Sequence, residues 1–371
     1  VEIRQDTLNP FGSREDFGIS DGSWSLGGQK GPSSPTPPPT DLQKRFVLTS
    51  DFNVSGYSEG DTDFTVAANL PASVVWNKIA YGDNKFVAVG YQPASTSSIV
   101  VVSEDGGATW TSVTVDADVS FNQQWRSVAY GNGMWVVTGT LATIAYSEDL
   151  STWTAVTIPN TSPQQEWIDI IFGGGKFVLS GAYYWQSQTA YSTDGINWTA
   201  GSSYAFSVGY NHKLAYGNGV FVAVALHDYA AYSTNGITWT QMSIPREPGT
   251  GSTFAGALTF DDYTQKFVLL SGSFESYWMQ ASTSTDGANW QTTVVFPGSS
   301  SNTFGSRWLS MASGNQTIIA VGQAFPNGDG VGYPLYAYAT NLASTTWGLS
   351  MPNFGNPDKT YSAIVYAEVE L

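Results

Sequence analysis

The sequence predicts an all-β protein: a seven-bladed β-propeller with four-stranded antiparallel blades and an extended N-terminal arm. Three observations carry that expectation. One line of residues recurs along the chain at a period of about 45 residues. Each copy holds four short apolar runs separated by turn-forming residues. The two ends of the repeated region hold complementary fragments of a single copy.

Composition agrees with strands. Gly, Ser, Thr, Tyr, Trp and Val are plentiful among the 371 residues, whereas Leu, Ile and Met are scarce. That mixture favours strands and tight turns over helices. A helical period is not sustained anywhere, and the apolar runs are too short to span a membrane. The first residues, 1–16, are polar and charged and lack the apolar stretch of a secretory signal. Cysteine is absent, so the chain is expected to fold in a reducing compartment without thiol chemistry. Acidic residues outnumber basic ones 30 to 14, for a formal net charge of −16. Such a polyanion repels nucleic acid and anionic lipid, so neither is an expected partner, and the charge keeps a large β-protein soluble.

Self-comparison defines the repeat. An aromatic residue precedes an apolar strand ending in Tyr-Gly. A Gly/Asn turn and a Phe-Val-x-Val-Gly strand follow, then a variable loop, then Tyr-Ser-x-Asp-Gly-x-x-Trp-Thr. The second unit reads Trp76, Tyr81-Gly82, Phe86-Val87-Ala88-Val89-Gly90 and Ser103 to Trp110. The third reads Trp125, Tyr130-Gly131, Trp135-Val136-Val137, Ser147-Glu148-Asp149 and Trp153. The fourth has Trp167, Phe177-Val178-Leu179, Asp194 and Trp198; the fifth has Tyr216-Gly217, Phe221-Val222, Asn235 and Trp239. The sixth has Phe267-Val268, Asp286 and Trp290, and the worn seventh has Trp308, Ile318-Ile319, Asn341 and Trp347. The four strands of each unit are called a to d.

Closure separates a ring from an open solenoid. The first copy begins at Lys44 to Leu48, which matches strand b, and has no strand a. The last residues, Tyr361 to Ala367, match strand a and have no strand b after them. Together they make one blade, so the C-terminal strand is expected to close the ring.

The Ser-x-Asp-x-Gly-x-x-Trp line resembles the Asp-box of sialidase-like propellers. Its residues here are Ser103, Asp105, Gly107 and Trp110, with shorter copies at Asp149 and Trp153, Asp194 and Trp198, Asn235 and Trp239, and Asp286 and Trp290. The Asp or Asn oxygen suits capping of the c–d turn, Gly suits a positive φ, and the Trp suits packing between blades. Repetition at one structural position points to scaffold.

The resemblance to sialidases implies a site with three arginines clamping a carboxylate, a Tyr nucleophile with a Glu partner, and an acidic residue. Arg45, Arg126, Arg246 and Arg307 are the arginines of the repeats, and none sits in a recognisable sialidase motif. Hydrolysis otherwise needs two carboxyls at a set separation. Glu166 and Asp169 lie near strand a of the fourth blade and Asp228 in the fifth, with nothing to mark a pair. Catalytic residues are therefore not expected. With two histidines, His212 and His227, a metal site is not expected either, and Asn327-Gly328-Asp329-Gly330 reads as a turn. No cofactor is implied.

Variable loops joining strands b and c carry aromatics: Tyr183, Tyr184 and Trp185 in the fourth blade, Tyr277 and Trp278 in the sixth, Phe325 and Tyr333 in the seventh. Aromatics on variable loops over a rigid frame suit a glycan- or protein-recognition face.

Residues 1–31 stand outside the repeat. They are polar and Gly-rich with spaced anchors, Leu8, Phe11, Phe17 and Trp24 among them. Residues 32–41 are a stiff Pro-rich linker, and 42–371 are the propeller. The repeat line over 44–371 resembles propellers of tailed-phage structural proteins. That resemblance implies a non-enzymatic virion component. Its arm, residues 1–40, would dock on capsid, tail or baseplate proteins in many copies, and its head would meet a host-surface glycan or protein. A sialidase-like hydrolase of surface polysaccharide is the alternative. An Asp-box assembly factor of the kind that helps build photosystem II is a third, weaker resemblance, since the basic arginine patch of that group is not evident here.

Overall fold

The computed structural model of the chain describes residues 42–50, 54–59, 64–71, 73–94, 97–115, 124–183, 186–202, 212–225, 229–245, 254–272, 279–296, 305–325, 333–340, 347–350 and 361–369. Blade 1 draws on both ends of this range. It holds β1 (Gln43–Ser50), β2 (Val54–Ser58) and β3 (Thr65–Asn69), with the last strand of the chain beside β1. Blade 2 is β4 (Val75–Gly82), β5 (Lys85–Tyr91), β6 (Ser98–Ser103) and β7 (Thr111–Val113). Blade 3 is β8 (Trp125–Gly131), β9 (Met134–Gly139), β10 (Ile144–Ser147) and β11 (Thr154–Val156). Blade 4 is β12 (Glu166–Gly173), β13 (Lys176–Tyr183), β14 (Gln186–Ser192) and β15 (Thr199–Ala200). Blade 5 is β16 (Lys213–Gly217), β17 (Val220–Val224), β18 (Tyr229–Ser233) and β19 (Thr240–Ser243). Blade 6 is β20 (Phe254–Asp261), β21 (Lys266–Gly272), β22 (Met279–Ser284) and β23 (Gln291–Phe296). Blade 7 is β24 (Gly305–Gly314), β25 (Thr317–Phe325), β26 (Tyr333–Ala339) and β27 (Gly348–Ser350), and the closing strand of blade 1 is β28 (Tyr361–Val369).

The fold is the expected seven-bladed propeller. All seven sheets are antiparallel and four-stranded, and the innermost strand of each blade contacts that of the next, all the way round. β28 pairs with β1 from Gln43↔Val369 to Ser50↔Tyr361, so the closing strand runs two residues past the Tyr361–Ala367 match.

Packing explains the sequence pattern. Strand b is pressed between neighbouring blades on both faces, so it is apolar throughout rather than alternating. Phe86, Val87, Ala88 and Val89 are all fully buried. Seven buried clusters fill the seven interfaces, each drawing on two adjacent blades. A buried Phe such as Phe177 contributes about 1.5–3 kcal/mol through the surface it removes from water. The outermost strands β7, β11, β15 and β27 have two or three residues, which leaves little unpaired edge.

Two joints repeat around the ring. At one end of the inner strands, Trp76, Trp125, Trp167 and Trp308 are buried opposite Gly90, Gly139, Gly181 and Gly322. A one-residue bulge follows each Trp and draws its strand against the glycine. A Cβ on any of these glycines would lie 2.1–2.6 Å from the carbonyl oxygen just before the Trp. At the other end, the glycine of the Tyr-Gly phrase lies under an aromatic ring of the next blade. The pairs are Gly82 with Tyr130, Gly131 with Phe172, Gly173 with Tyr216, Gly217 with Phe260 and Gly314 with Tyr366. A Cβ there would sit 2.1–2.3 Å from a ring carbon.

Candidate functional site

Repetition makes the inner strands comparable position by position. Four residues before the Tyr-Gly glycine, or its counterpart, stand Ala363, Lys78, Ser127, Asp169, Lys213, Ala257 and Ser310 in blades 1 to 7. All seven pair with the same position of strand b: Thr49, Val89, Thr138, Ser180, Val224, Leu270 and Val321. They form one layer around the axis.

This layer joins blades through hydrogen bonds to backbone. The edge of an inner strand that faces the axis has no neighbouring strand, so its N–H groups need other acceptors. Ser127 Oγ accepts from Ile170 N at 3.2 Å, and Ser310 Oγ accepts from Ile364 N at 3.2 Å. Asp169 Oδ2 accepts from Leu214 N at 2.9 Å. In each case the layer residue of one blade serves the next position of the following blade.

Asp169 does more than this. Its Oδ1 accepts from Lys78 Nζ at 3.0 Å and from Ser127 Oγ at 2.8 Å. One buried carboxylate thus links blades 2, 3, 4 and 5. Burial alone would raise its pKa, but Lys78 and Lys213, with the Leu214 N–H and the Ser127 hydroxyl, hold it below the usual carboxylate value. Lys213 faces the same group. Desolvation among protein atoms, with repulsion from Lys78 and Arg307, outweighs attraction to Asp169 and brings its pKa down to about 8.

Lys78, Asp169 and Lys213 border a cavity of about 290 Å³ along the axis. Its remaining walls come from blades 5, 6, 7 and 1, where the layer residues Ala257, Ser310 and Ala363 are small. The hollow is lined on those blades by apolar and polar side chains alike, Leu258, Met311 and Ile364 beside Thr259, Ser310 and Asp262, and in the layer by Lys78, Asp169 and Lys213.

The Ser-x-Asp/Asn turns cap their own backbone. Asp194 Oδ1 accepts from Ile196 N and Asn197 N at 2.9 and 2.7 Å, and Asp286 and Asn235 repeat the pattern. The serines accept from the following glycine N–H at Gly195, Gly236 and Gly287, all at positive φ. In the third blade Leu150 holds that position at φ 64°, bonded to Ser147, and Asp149 Oδ1 caps Ser151 N and Thr152 N. The longer turn at Ser103 binds Gly107 N, and Asp105 takes Thr109 N. Trp153, Trp198 and Trp290 are buried between blades, and their indole N–H groups donate to the carbonyl three residues earlier. Trp110 and Trp239 are half-buried and pack against the clusters between blades 1 and 2 and between blades 4 and 5. The extra residue in the first of these turns carries Trp110 out to Ser55 of blade 1, at 2.9 Å.

The structure redistributes the other candidates. Tyr183 belongs to β13 rather than to a loop, because β13 and β14 pair up to Tyr183↔Gln186. Its hydroxyl donates to Gln164 at 3.2 Å. Phe325 and Tyr333 likewise end β25 and begin β26. Tyr184, Trp185, Tyr277, Trp278, Arg246, Asp228, His227, Asn327 to Gly330 and the anchors Leu8, Phe11, Phe17 and Trp24 lie outside the described residues. Arg45 sits at the turn end of its blade, donating to Gly106 O at 3.1 Å, while Arg126 and Arg307 flank tryptophans at the opposite end of the inner strands. Arg45 therefore joins no clamp with them. Glu166 pairs with Arg126 at 3.7 Å, not with Asp169. His212 is buried between Ser180 and Ser187, and the described residues hold no metal-binding group of three or more His, Cys, Asp or Glu.

Asp169 was a candidate from the sequence; Lys78 and Lys213 beside it were not. The signal was the column four residues before the glycine, where lysine and aspartate interrupt alanine and serine.

Solved propellers share the fold. YCF48 bound to D1 peptide superposes with a TM-score of 0.54 at 16% identity, over 76% of this chain and 82% of that chain. YCF48 from Cyanidioschyzon merolae gives 0.53 at 16%, over 76% and 86%. The α-L-arabinofuranosidase Arb93A from Fusarium graminearum gives 0.47 at 14%, over 74% and 94%. At these identities the likeness to the two YCF48 structures is one of fold. No protein-family model and no curated protein matches the chain.

Proposed function

We propose that the chain is a non-enzymatic virion structural protein of a tailed phage. Residues 1–40 anchor it to capsid, tail or baseplate proteins, and many copies display the propeller for decoration or attachment to a host-surface glycan. The repeat line and its Asp-box kinship support the phage assignment. The observation that carries the non-enzymatic part is the use of the carboxyls. Asp169 is engaged by Lys78, Ser127 and Leu214, Glu166 faces Arg126, and the turn aspartates cap backbone N–H groups. These carboxyls are already engaged in ion pairs or hydrogen bonds. Weak contacts by single heads would add through avidity on a symmetric particle.

The test compares the full chain with residues 42–371, which contain the closed ring, in sedimentation with intact particles from the source, read by mass spectrometry. Co-sedimentation of the full chain alone is the expected result. Failure of both to associate, or release of sugar from a host-surface polysaccharide by either, overturns the reading.

A further inference from the structure

We propose that the axial cavity is a binding site for one small oxyanion, held between Lys213 and Lys78 on the side where the small layer residues leave room. Three features converge on it, and none depends on what the propeller is attached to.

The first is charge. Lys78 and Lys213 act on one buried carboxylate, Asp169, and Arg307 acts on Lys213, in a chain whose formal net charge is −16. Lys78 is bonded to that carboxylate. The Lys213 ammonium makes no hydrogen bond or ion pair within 4 Å among the described residues, and the residue borders the cavity.

The second is backbone. In blades 4, 5 and 1 the axis-facing amides Ile170, Leu214 and Ile364 bond to Ser127, Asp169 and Ser310. The equivalent amides in blades 2, 6 and 7 belong to Ile79, Leu258 and Met311. Their preceding layer residues are Ala363, Lys213 and Ala257, which carry no acceptor. All three line the cavity. Backbone N–H groups and ammonium groups facing one hollow make an anion site.

The third is size. At about 30 Å³ per water, a hollow of this volume, near 290 Å³, holds roughly ten waters. A sulfate, phosphate or short carboxylate fits inside it, and a polymer does not.

Groups facing Lys213 set its response to pH. They are Asp169 on β12, Lys78 on β4 and Arg307 on β24. His212, just before β16, is turned to Ser180 and Ser187, and Asp262 lies at the far mouth, about 16 Å beyond the layer position Ala257 of β20 at ~3.3 Å per residue. With a pKa brought down to about 8, Lys213 is charged at pH 7 and neutral at pH 9.5. Oxyanion binding should fade over that interval.

Isothermal titration of the full chain with sulfate, whose charge is constant across this range, tests the site; acetate is the carboxylate arm. The expected result is 1:1 binding at pH 7, weakened about tenfold or more by Lys213→Met. Lys213→Arg retains binding and removes its pH dependence, and sulfate raises the melting temperature of the unsubstituted chain at pH 7. Absence of saturable binding up to about 50 mM, where even a millimolar site fills, overturns the proposal. So does a folded Lys213→Met variant that binds normally. If that variant fails to fold, a flat pH profile for the unsubstituted chain has the same force.

Discussion

Five joints of the ring close with a glycine beneath an aromatic ring, and the joint between blades 6 and 7 closes differently. Asp261 stands where the glycine should be, and Ser313 stands where the aromatic should be. The Ser313 hydroxyl donates to Asp261 Oδ1, while Thr264 N reaches Oδ2 at 2.8 Å and the Thr264 hydroxyl donates there too. The buried carboxylate is thus satisfied on both oxygens. The same space is filled in two ways. One uses a large ring over no side chain, which works by contact area and tolerates small rotations. The other uses two small polar groups, which work by direction and fail if either is lost. The pair of substitutions is complementary in volume and in chemistry, so neither half makes sense alone.

Substitutions can break or sharpen this contrast. Gly131→Ala should have the largest effect. Its Cβ would fall 2.1 Å from a Phe172 ring carbon, and overpacking of that kind costs about 1–3 kcal/mol. A lower urea midpoint at unchanged slope is the expected reading. An unchanged midpoint would show that the joint is loose.

Next comes a double-mutant cycle across the polar joint. Ser313→Tyr alone forces a ring onto Asp261, and Asp261→Gly alone empties the contact. Together they recreate the common joint, so the pair should recover stability with a coupling of about 0.5–3 kcal/mol. Simple additivity would mean the two positions do not act as a unit.

The c–d turns give the smallest effect and a natural control. Asn197 and its N–H hold the Asp194 carboxyl below its ordinary value of 3.8, and the Asn289 N–H and amide do the same for Asp286. Asn235 makes the same bonds without titrating. A carboxyl depressed in the folded state contributes stability above its ordinary value and loses it as pH falls through the folded value. Asp194→Asn with Asp286→Asn should therefore flatten the acid limb below pH 3.8, measured by unfolding curves. At pH 7 the change should stay within about 0.5 kcal/mol, as is usual for surface positions.

What the sequence disclosed follows from repetition. The blades, the capped turns and the closure by β28 recur or complement one another, so local patterns suffice to find them. The glycine joints sit in the Tyr-Gly phrase itself. The axial charges were hidden because they do not repeat from blade to blade: the layer holds lysine in two blades, aspartate in one and alanine or serine in four. Lys78 and Asp169 are 91 residues apart and meet only when the ring forms. Loop boundaries among the described residues were misplaced for the opposite reason. Without a repeat to fix their register, nothing in the chain shows that Tyr183 continues β13 or that Phe325 and Tyr333 end paired strands.

The clasp between β1 and β28 also has a consequence in time. Nearly 300 residues separate the end of β3 from the start of β28. At about 5–20 residues per second, a ribosome takes roughly 15–60 s to cross that interval. Throughout it, β1 exposes a bare hydrogen-bonding edge, while the blades behind it emerge and stack. The nascent chain is an open arc with an adhesive end, and crowded synthesis is the moment when a neighbour's β28 could be taken in place of its own.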